Sequence, residues 1–168
     1  MTEFSVNTHR SDPYKNFKFR VRWKNKVVPG IFRVSGLNRS TAVVEYRDGG
    51  DANVVQKSPG ATTYAPVTLE RARTHDTAFE DWAGKVWQLG AGLGDEIKLK
   101  GYRRDIVIEV MNEAGQLAFA WNVYRCWPQH YDAFVDLDAS SDAILVERLV
   151  LAHEGFERDL SVTEPAEK

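Results

Sequence analysis

The stretch Leu117-Ala-Phe-Ala-Trp-Asn-Val-Tyr-Arg-Cys-Trp-Pro-Gln-His-Tyr131 decides how the rest of the chain is read. Its odd positions carry Leu117, Phe119, Trp121, Val123, Arg125 and Trp127, and its even positions Ala118, Ala120, Asn122, Tyr124 and Cys126. A period of two with the bulk on one side marks a half-buried β-strand. Pro128 has no N–H for a sheet ladder, so the strand is expected to stop there. Phe119, Trp121 and Val123 form an apolar load that another element must cover.

Working outward, Phe17, Phe19, Val21 and Trp23 alternate with Lys18, Arg20, Arg22 and Lys24. This predicts a strand with one core face and one basic face. Asn25-Lys26 can turn the chain into Val27–Ser35, which Pro29-Gly30 interrupts as a bulge or edge. Ala42–Tyr46 is a third short strand. Asp48-Gly49-Gly50-Asp51 and Ser58-Pro59-Gly60 are turn signals. Between them only Val54 and Val55 are apolar, so the segment is expected to project as a hairpin or long loop. Tyr64–Leu69 returns to strand character. The period then changes: Phe79, Trp82, Ala83, Val86 and Leu89 fall on one helical stripe. Thr77 and Glu80 offer a capping box with Asp76 adding charge, and Gly90 is a natural stop. Arg104–Met111 and the opening stretch form a hairpin through Asn112–Gly115, and Ile144–Ala152 is the last long strand, with Phe156 as an anchor. Seven or eight strands and a single helix exclude a parallel α/β design. The expected fold is mainly β, an antiparallel barrel or sandwich with one packed α-helix. Its core is expected to hold Phe19, Trp23, Phe79, Trp82, Val86, Trp121, Val123 and Trp127.

Residues 1–168 fit one domain, long enough to bury about 70% of the unfolded surface without staples. A polar N-terminal arm (1–13) and a polar, frayed C-terminal tail (161–168) are expected. The formal net charge is -2, so no net basic field draws in nucleic acid. Cys126 is the only cysteine, which excludes an intrachain disulfide and suits a reducing compartment. No basic-then-apolar leader opens the sequence, and no apolar run nears ~18 residues.

Candidate chemistry is sparse. Cys126, His130 and Asp132 are close in sequence, as a nucleophile, base and orienting acid would be, but a packing cysteine beside a loop histidine explains them as well. His9, His75, His130 and His153 form no metal-ligand spacing. Gly90, Gly92 and Gly94 follow a helix instead of a strand, and Asp95-Glu96 would repel phosphate, so they read as a helix stop and connector. Lys18, Arg20, Arg22 and Lys24 read either as a solvated strand face or as a surface for an acidic partner. No catalytic residue, cofactor or metal is implied.

Several stretches together resemble the inner-tube (tail-tube) proteins of contractile phage tails and contractile injection systems. They are Phe17-Lys-Phe-Arg-Val21, Phe32-Arg-Val-Ser-Gly-Leu37, Glu45-Tyr-Arg-Asp-Gly-Gly50, Ser58-Pro-Gly60 and Val67-Thr-Leu-Glu-Arg71. Beyond the helix come Arg103-Arg-Asp-Ile-Val-Ile108, Ala120-Trp121, Trp127-Pro-Gln-His-Tyr131, Asp138-Ala139 and Ile144–Gly155. The family's arginine-glycine pair reads Arg71-Ala72-Arg73 here. The resemblance implies a structural, non-enzymatic subunit of the type VI tube-protein-like fold. Hexameric rings stack into a hollow tube inside a contractile sheath, with baseplate and spike proteins as further partners and protein cargo in the lumen. Assembly in the cytoplasm and action in a released particle follow. The resemblance places Tyr46, Arg47, Asp48, Gly49, Gly50, Val54, Val55, Lys57, Pro59, Gly60, Gly92 and Gly94 at subunit contacts, and the basic strand toward lumen or sheath. A baseplate-proximal tube initiator or adaptor, or the tail tube of a DNA-carrying phage, is the alternative.

Overall fold

The computed structural model describes residues 4–50, 54–90 and 101–167. Ten strands and one helix follow in order: β1 (Phe19–Trp23), β2 (Lys26–Val28), β3 (Ile31–Ser35), β4 (Arg39–Tyr46), β5 (Gln56–Tyr64), β6 (Val67–Ala72), α1 (Ala78–Gly90), β7 (Arg104–Met111), β8 (Leu117–Asp132), β9 (Val146–Ala152) and β10 (Gly155–Arg158). The main sheet runs β2-β1-β7-β8-β9-β6-β3, with β10 also on β8, and β4 and β5 form a separate pair. Every pairing is antiparallel.

β8 joins the two halves of the sheet. Its first half pairs with β7 and β10, and its second half with β9. The strand does not stop at Pro128. It continues to Asp132, and the proline is accommodated beside a register shift between Pro128 and His130. The change of direction is visible at Arg125, whose φ is +55°. Its N–H is held by the Asp105 carboxylate at 2.8 Å. Strands that move between sheet layers do so through such irregularities.

That irregularity resets which residues face inward. Before it, Val21 pairs with Ile108, Trp23 with Ile106 and Ile106 with Val123, placing these residues on one face. They share one buried cluster with Val67, Leu69, Leu149 and Leu151, closed by Phe79 and Trp82 of α1. After it, Cys126 and Pro128 are buried and Trp127 is not. Four residues expected in the core therefore lie outside its buried cluster, half-buried. Trp127 is turned out by the extra residue. Phe19 pairs with Val110 at the end of the β1–β7 ladder, Val110 pairs with Phe119, and Trp121 stacks on Phe119. Val86 sits on the rim of a groove between α1 and Pro128.

The cover over β8 is divided. Trp23 packs against Phe79 and Trp82 at 5.7 and 5.1 Å between ring centroids, and Trp82 Nε1 donates to the Tyr102 carbonyl at 2.5 Å. The stripe of Phe79, Trp82 and Val86 made the helix the expected cover for Phe119, Trp121 and Val123, but of these only Val123 shares the buried cluster with Phe79 and Trp82. Phe119 meets the ring of Tyr14 edge-on at 5.0 Å, stacks on Trp121 at 5.8 Å and lies 4.7 Å beneath the Arg158 guanidinium. The bend carries the second half of β8 under the helix and leaves the first half to the N-terminal arm.

Three local expectations need correction. The cap of α1 is not a Thr77–Glu80 box. Asp76 accepts from the Ala78 N–H at 2.9 Å, which with Arg71 holds its carboxyl below the ordinary range, while Glu80 pairs with Arg73. Ser58-Pro59-Gly60 is not a turn but part of β5, where Pro59 sits opposite Val43 beside a register shift. The tight turn after β1 is Lys24-Asn25, both at positive φ, as a type I′ hairpin requires.

Candidate functional site: a projecting hairpin and its anchors

β4 and β5 are rich in β-branched residues, including Thr41, Val43, Val44, Thr62 and Thr63, which suit a pleated pair. The hydroxyls of Thr41 and Thr62 meet across the ladder at 2.8 Å. Yet all eight residues of β4 are exposed, and Val43 is 61% exposed. The two strands pair with each other and lie off the path of the main sheet, which they touch at their root through Arg39 and Tyr64. A two-stranded hairpin with no sheet or helix beneath it is marginal in water. Val43, Val44, Tyr46, Val54 and Val55 therefore present an apolar surface that this chain leaves uncovered.

The root of the hairpin is built tightly. Gly36 has φ +94°, and a Cβ there would lie 2.2 Å from the Pro66 carbonyl oxygen, so a glycine is required where the two connecting segments cross. Ala65 N–H donates to the Asn38 carbonyl at 3.3 Å. His153 Nε2 lies 2.8 Å from the Ala65 carbonyl oxygen, so that nitrogen carries the proton. The Tyr64 ring packs against His153 at 5.5 Å and Phe156 at 6.1 Å, and Arg39 lies over Phe156.

Of the four cations on the basic face at β1, two are paired with a carboxylate within the chain. Arg20 and Arg22 both grip Glu109, a buried carboxylate on β7, the latter at 3.0 Å. Lys18 bonds the Glu113 carbonyl. Lys24 occupies the turn, where Arg104 and Lys85 lower its pKa by repulsion.

A second buried ionic group ties the sheet to the helix start. Glu147 on β9 is 0% exposed. It accepts from Arg71 Nε at 2.8 Å, Arg73 Nη1 at 2.7 Å and the Tyr131 hydroxyl at 2.8 Å. Arg71 also binds the Asp76 side chain and carbonyl, and lies 4.1 Å above the Phe79 ring. Burial and the bond to Glu147 push the Tyr131 phenol up to about 12. Sequence reading noted Arg71 and Arg73 only as a departure from a family motif; no spacing rule pairs them with a glutamate 76 residues on.

The arm and the tail hold each other. The Glu164 carboxylate accepts from the N–H groups of Ser5, Val6 and Asn7, from the Ser5 hydroxyl and from Asn7 Nδ2, at 2.6–3.0 Å. Arg10 pairs with Glu113 at 3.0 Å and with Glu167. The tail is thus bonded and not frayed through Glu167. Burial would raise the Glu164 carboxyl, but the backbone N–H bonds outweigh it and bring it down to about 2. A depressed folded-state value means the bond stabilises above the unfolded value of ~4.3 and is lost as pH falls toward 2. Glu164→Gln is expected to release residues 5–7 at neutral pH, read as faster amide exchange there and unchanged exchange in β7 and β8. Wild-type protein should show the same release only in acid.

The remaining sequence candidates separate. Cys126 is buried in the core cluster, its thiol pushed up to about 12 by burial and by Asp105. His130 points outward to Asp132 at 2.9 Å, so a Cys126–His130–Asp132 set is not assembled. Gly92 and Gly94 lie outside the described residues. Among the described residues no acidic, histidine and cysteine side chains group to hold a metal, and no helix is long and apolar enough to cross a membrane.

Residues 15–157 match the family described as T4-like virus tail tube protein gp19. No curated protein matches the chain in sequence. Among solved structures, a chain of the PVC extracellular contractile injection system sheath-tube complex aligns at TM-score 0.72 and 24% identity, over 94% of this chain and 99% of that one. A chain of the PVC sheath/tube terminator aligns at 0.72 and 26% identity, over 89% and 98%. A chain of the anti-feeding prophage tube-terminating cap aligns at 0.72 and 25% identity, over 89% and 93%.

Proposed function

The chain belongs to the T4-like virus tail tube protein family, and from that premise we propose that it is the repeating subunit of the inner tube of a phage-tail-like contractile injection system. The family is one of structural tube proteins, not enzymes. Six copies close into a ring, rings stack into a hollow conduit, and the tube sits within a contractile sheath on a baseplate and spike. Protein cargo travels in the lumen. Subunits are made in the cytoplasm and act in the assembled particle.

The observation that carries this reading is the β4–β5 hairpin. Five exposed apolar residues on an arm with no core beneath it are stable only against another chain. Ring closure also covers sheet edges that an isolated barrel must guard. The proposed contacts are Tyr46, Arg47, Asp48, Gly49, Gly50, Val54, Val55, Lys57, Pro59 and Gly60, with Gly92 and Gly94 beside them. The likeness to a chain of the anti-feeding prophage cap supports a second reading, a terminal or baseplate-proximal subunit of the same fold that does not polymerise.

Negative-stain microscopy of the purified protein separates the two. Rings or stacked tubes are expected. Monomers that persist at high concentration, even with a sheath or baseplate partner added, would sink the tube reading.

A further inference from the structure

We propose that Lys24, Lys85 and Arg104 form an anion site of the phosphate class, which takes free phosphate or the terminal phosphate of a phosphate ester. This site stands apart from the tube reading and does not depend on it.

Three elements bring the cations together. Trp23, the last residue of β1, pairs with Ile106 of β7, so the turn that begins at Lys24 lies beside the start of β7 at Arg104. The Arg104 guanidinium lies 4.6 Å over the Trp82 ring of α1 and 6.0 Å from the Trp23 ring centroid. Lys85 stands one turn beyond Trp82 on the same side of the helix. Lys24 and Lys85 are exposed and Arg104 is half-buried. Their closeness is felt as repulsion. Arg104 first, then burial and Lys85, hold the Lys24 ammonium below its ordinary value.

The cluster has no counterion among the described residues. Buried Glu109 answers Arg20 and Arg22, Glu147 answers Arg71 and Arg73, and Glu70 answers Arg148. No carboxylate forms such a pair with Lys24, Lys85 or Arg104. Asp81 supports the charge on Arg104 from a distance, but its carboxylate accepts the Thr77 hydroxyl at 2.8 Å. Arg104 Nε is buried without an acceptor, and burial lowers the Arg104 pKa. A chain of net charge -2 thus gathers three cations at one point and leaves them uncompensated.

The arrangement suits a phosphate better than a single carboxylate. A guanidinium offers a planar fork for two oxygens of one oxyanion, and stacking on Trp82 fixes its plane. The two lysines add point charges from separate elements. A tetrahedral, doubly charged anion has oxygens enough to meet all three. Lys24 and Asn25 both hold positive φ, so the turn is set in shape before an anion arrives.

Calorimetric titration of dilute full-length protein with inorganic phosphate, at ionic strength fixed with chloride, tests the site. Binding is expected, with amide shifts confined to Lys24, Asn25, Lys85 and Arg104. Arg104→Lys keeps the charge and loses the fork, so it should bind about fivefold more weakly. Lys24→Asn, which suits a positive φ, and Lys85→Gln, a good helix former, should each lose about as much. Stability should move the opposite way. Without phosphate these two variants should unfold at the same or a higher urea concentration than wild type, because repulsion is relieved. Phosphate should raise the wild-type midpoint and leave theirs nearly fixed. A merely structural role would not give that reversal. ADP as a second probe separates the sources: equal affinity assigns the site to free phosphate, and about tenfold tighter binding assigns it to an ester. Phosphate that acts no differently from chloride, a hexaglutamate peptide that binds where phosphate does not, or an Arg104→Lys chain that binds phosphate like wild type overturns the proposal. Should Arg104→Lys fail to fold, Lys85→Gln on the exposed side of α1 decides by the same titration, and undiminished binding there refutes the site.

Discussion

Replacing Glu147 by alanine is expected to cost about 3–5 kcal/mol, because it leaves a buried cation without its partner. Arg71 is 1% exposed, and its Nε would lose the carboxylate at 2.8 Å. Tyr131 and Arg73 would lose an acceptor as well. Asp76 stays on the Arg71 Nη atoms, but it sits on the partly open side at the helix start and cannot reach every donor. At an m-value of about 2 kcal/mol/M the urea midpoint should fall by about 2 M with m unchanged. The double variant Arg71→Met/Glu147→Leu should recover most of that loss, since apolar residues of similar volume commonly replace a buried ion pair without penalty. Arg73 retains Glu80 at 3.1 Å in that background. A midpoint shift below about 0.5 M for Glu147→Ala would refute the assignment.

The sequence was legible where one physical rule governed one segment. The alternation of Phe19–Trp23 and of Ile106, Ile108 and Val110 placed β1 and β7 correctly, and the 3.6-residue stripe placed α1. The antiparallel, mainly β architecture followed from those patterns. Reading failed where backbone geometry overrode alternation. One residue at positive φ, Arg125, moves Cys126 and Pro128 inward and Trp127 outward, and nothing in the local pattern announces it. Pro59 and Pro128 lie inside strands because a register shift beside each relieves the missing N–H. The covers over β8 were misassigned for the same reason. The arm looked structureless because its partners are a carboxylate at Glu164 and an aromatic face at Phe119, both more than 100 residues away in sequence. The hairpin was legible in the opposite sense: a segment with too few core residues for its length had to project.

Excising the hairpin is expected to abolish assembly completely while leaving the rest of the chain folded. Thr41 pairs with Thr62, so Ala42 and Ala61 are the next residues outward on the two strands. Residues 43–60 replaced by Asn-Gly would close them with a two-residue type I′ turn, the connection whose twist suits a hairpin. The root survives: Gly36, Asn38, Ala65 and His153 are untouched, as are Tyr64 and Arg39 against Phe156. None of the removed residues belongs to the buried cluster, so the urea midpoint of the unassembled chain should change little. The exposed apolar surface carried by Val43, Val44, Tyr46, Val54 and Val55 disappears, and with it the reason to associate. Solubility should therefore rise as assembly is lost, a combination that a merely destabilising deletion would not produce. Sedimentation at high protein concentration reads the first effect and tryptophan fluorescence the second. Rings formed by the excised protein would show that subunits meet through the body alone and that the hairpin serves another purpose.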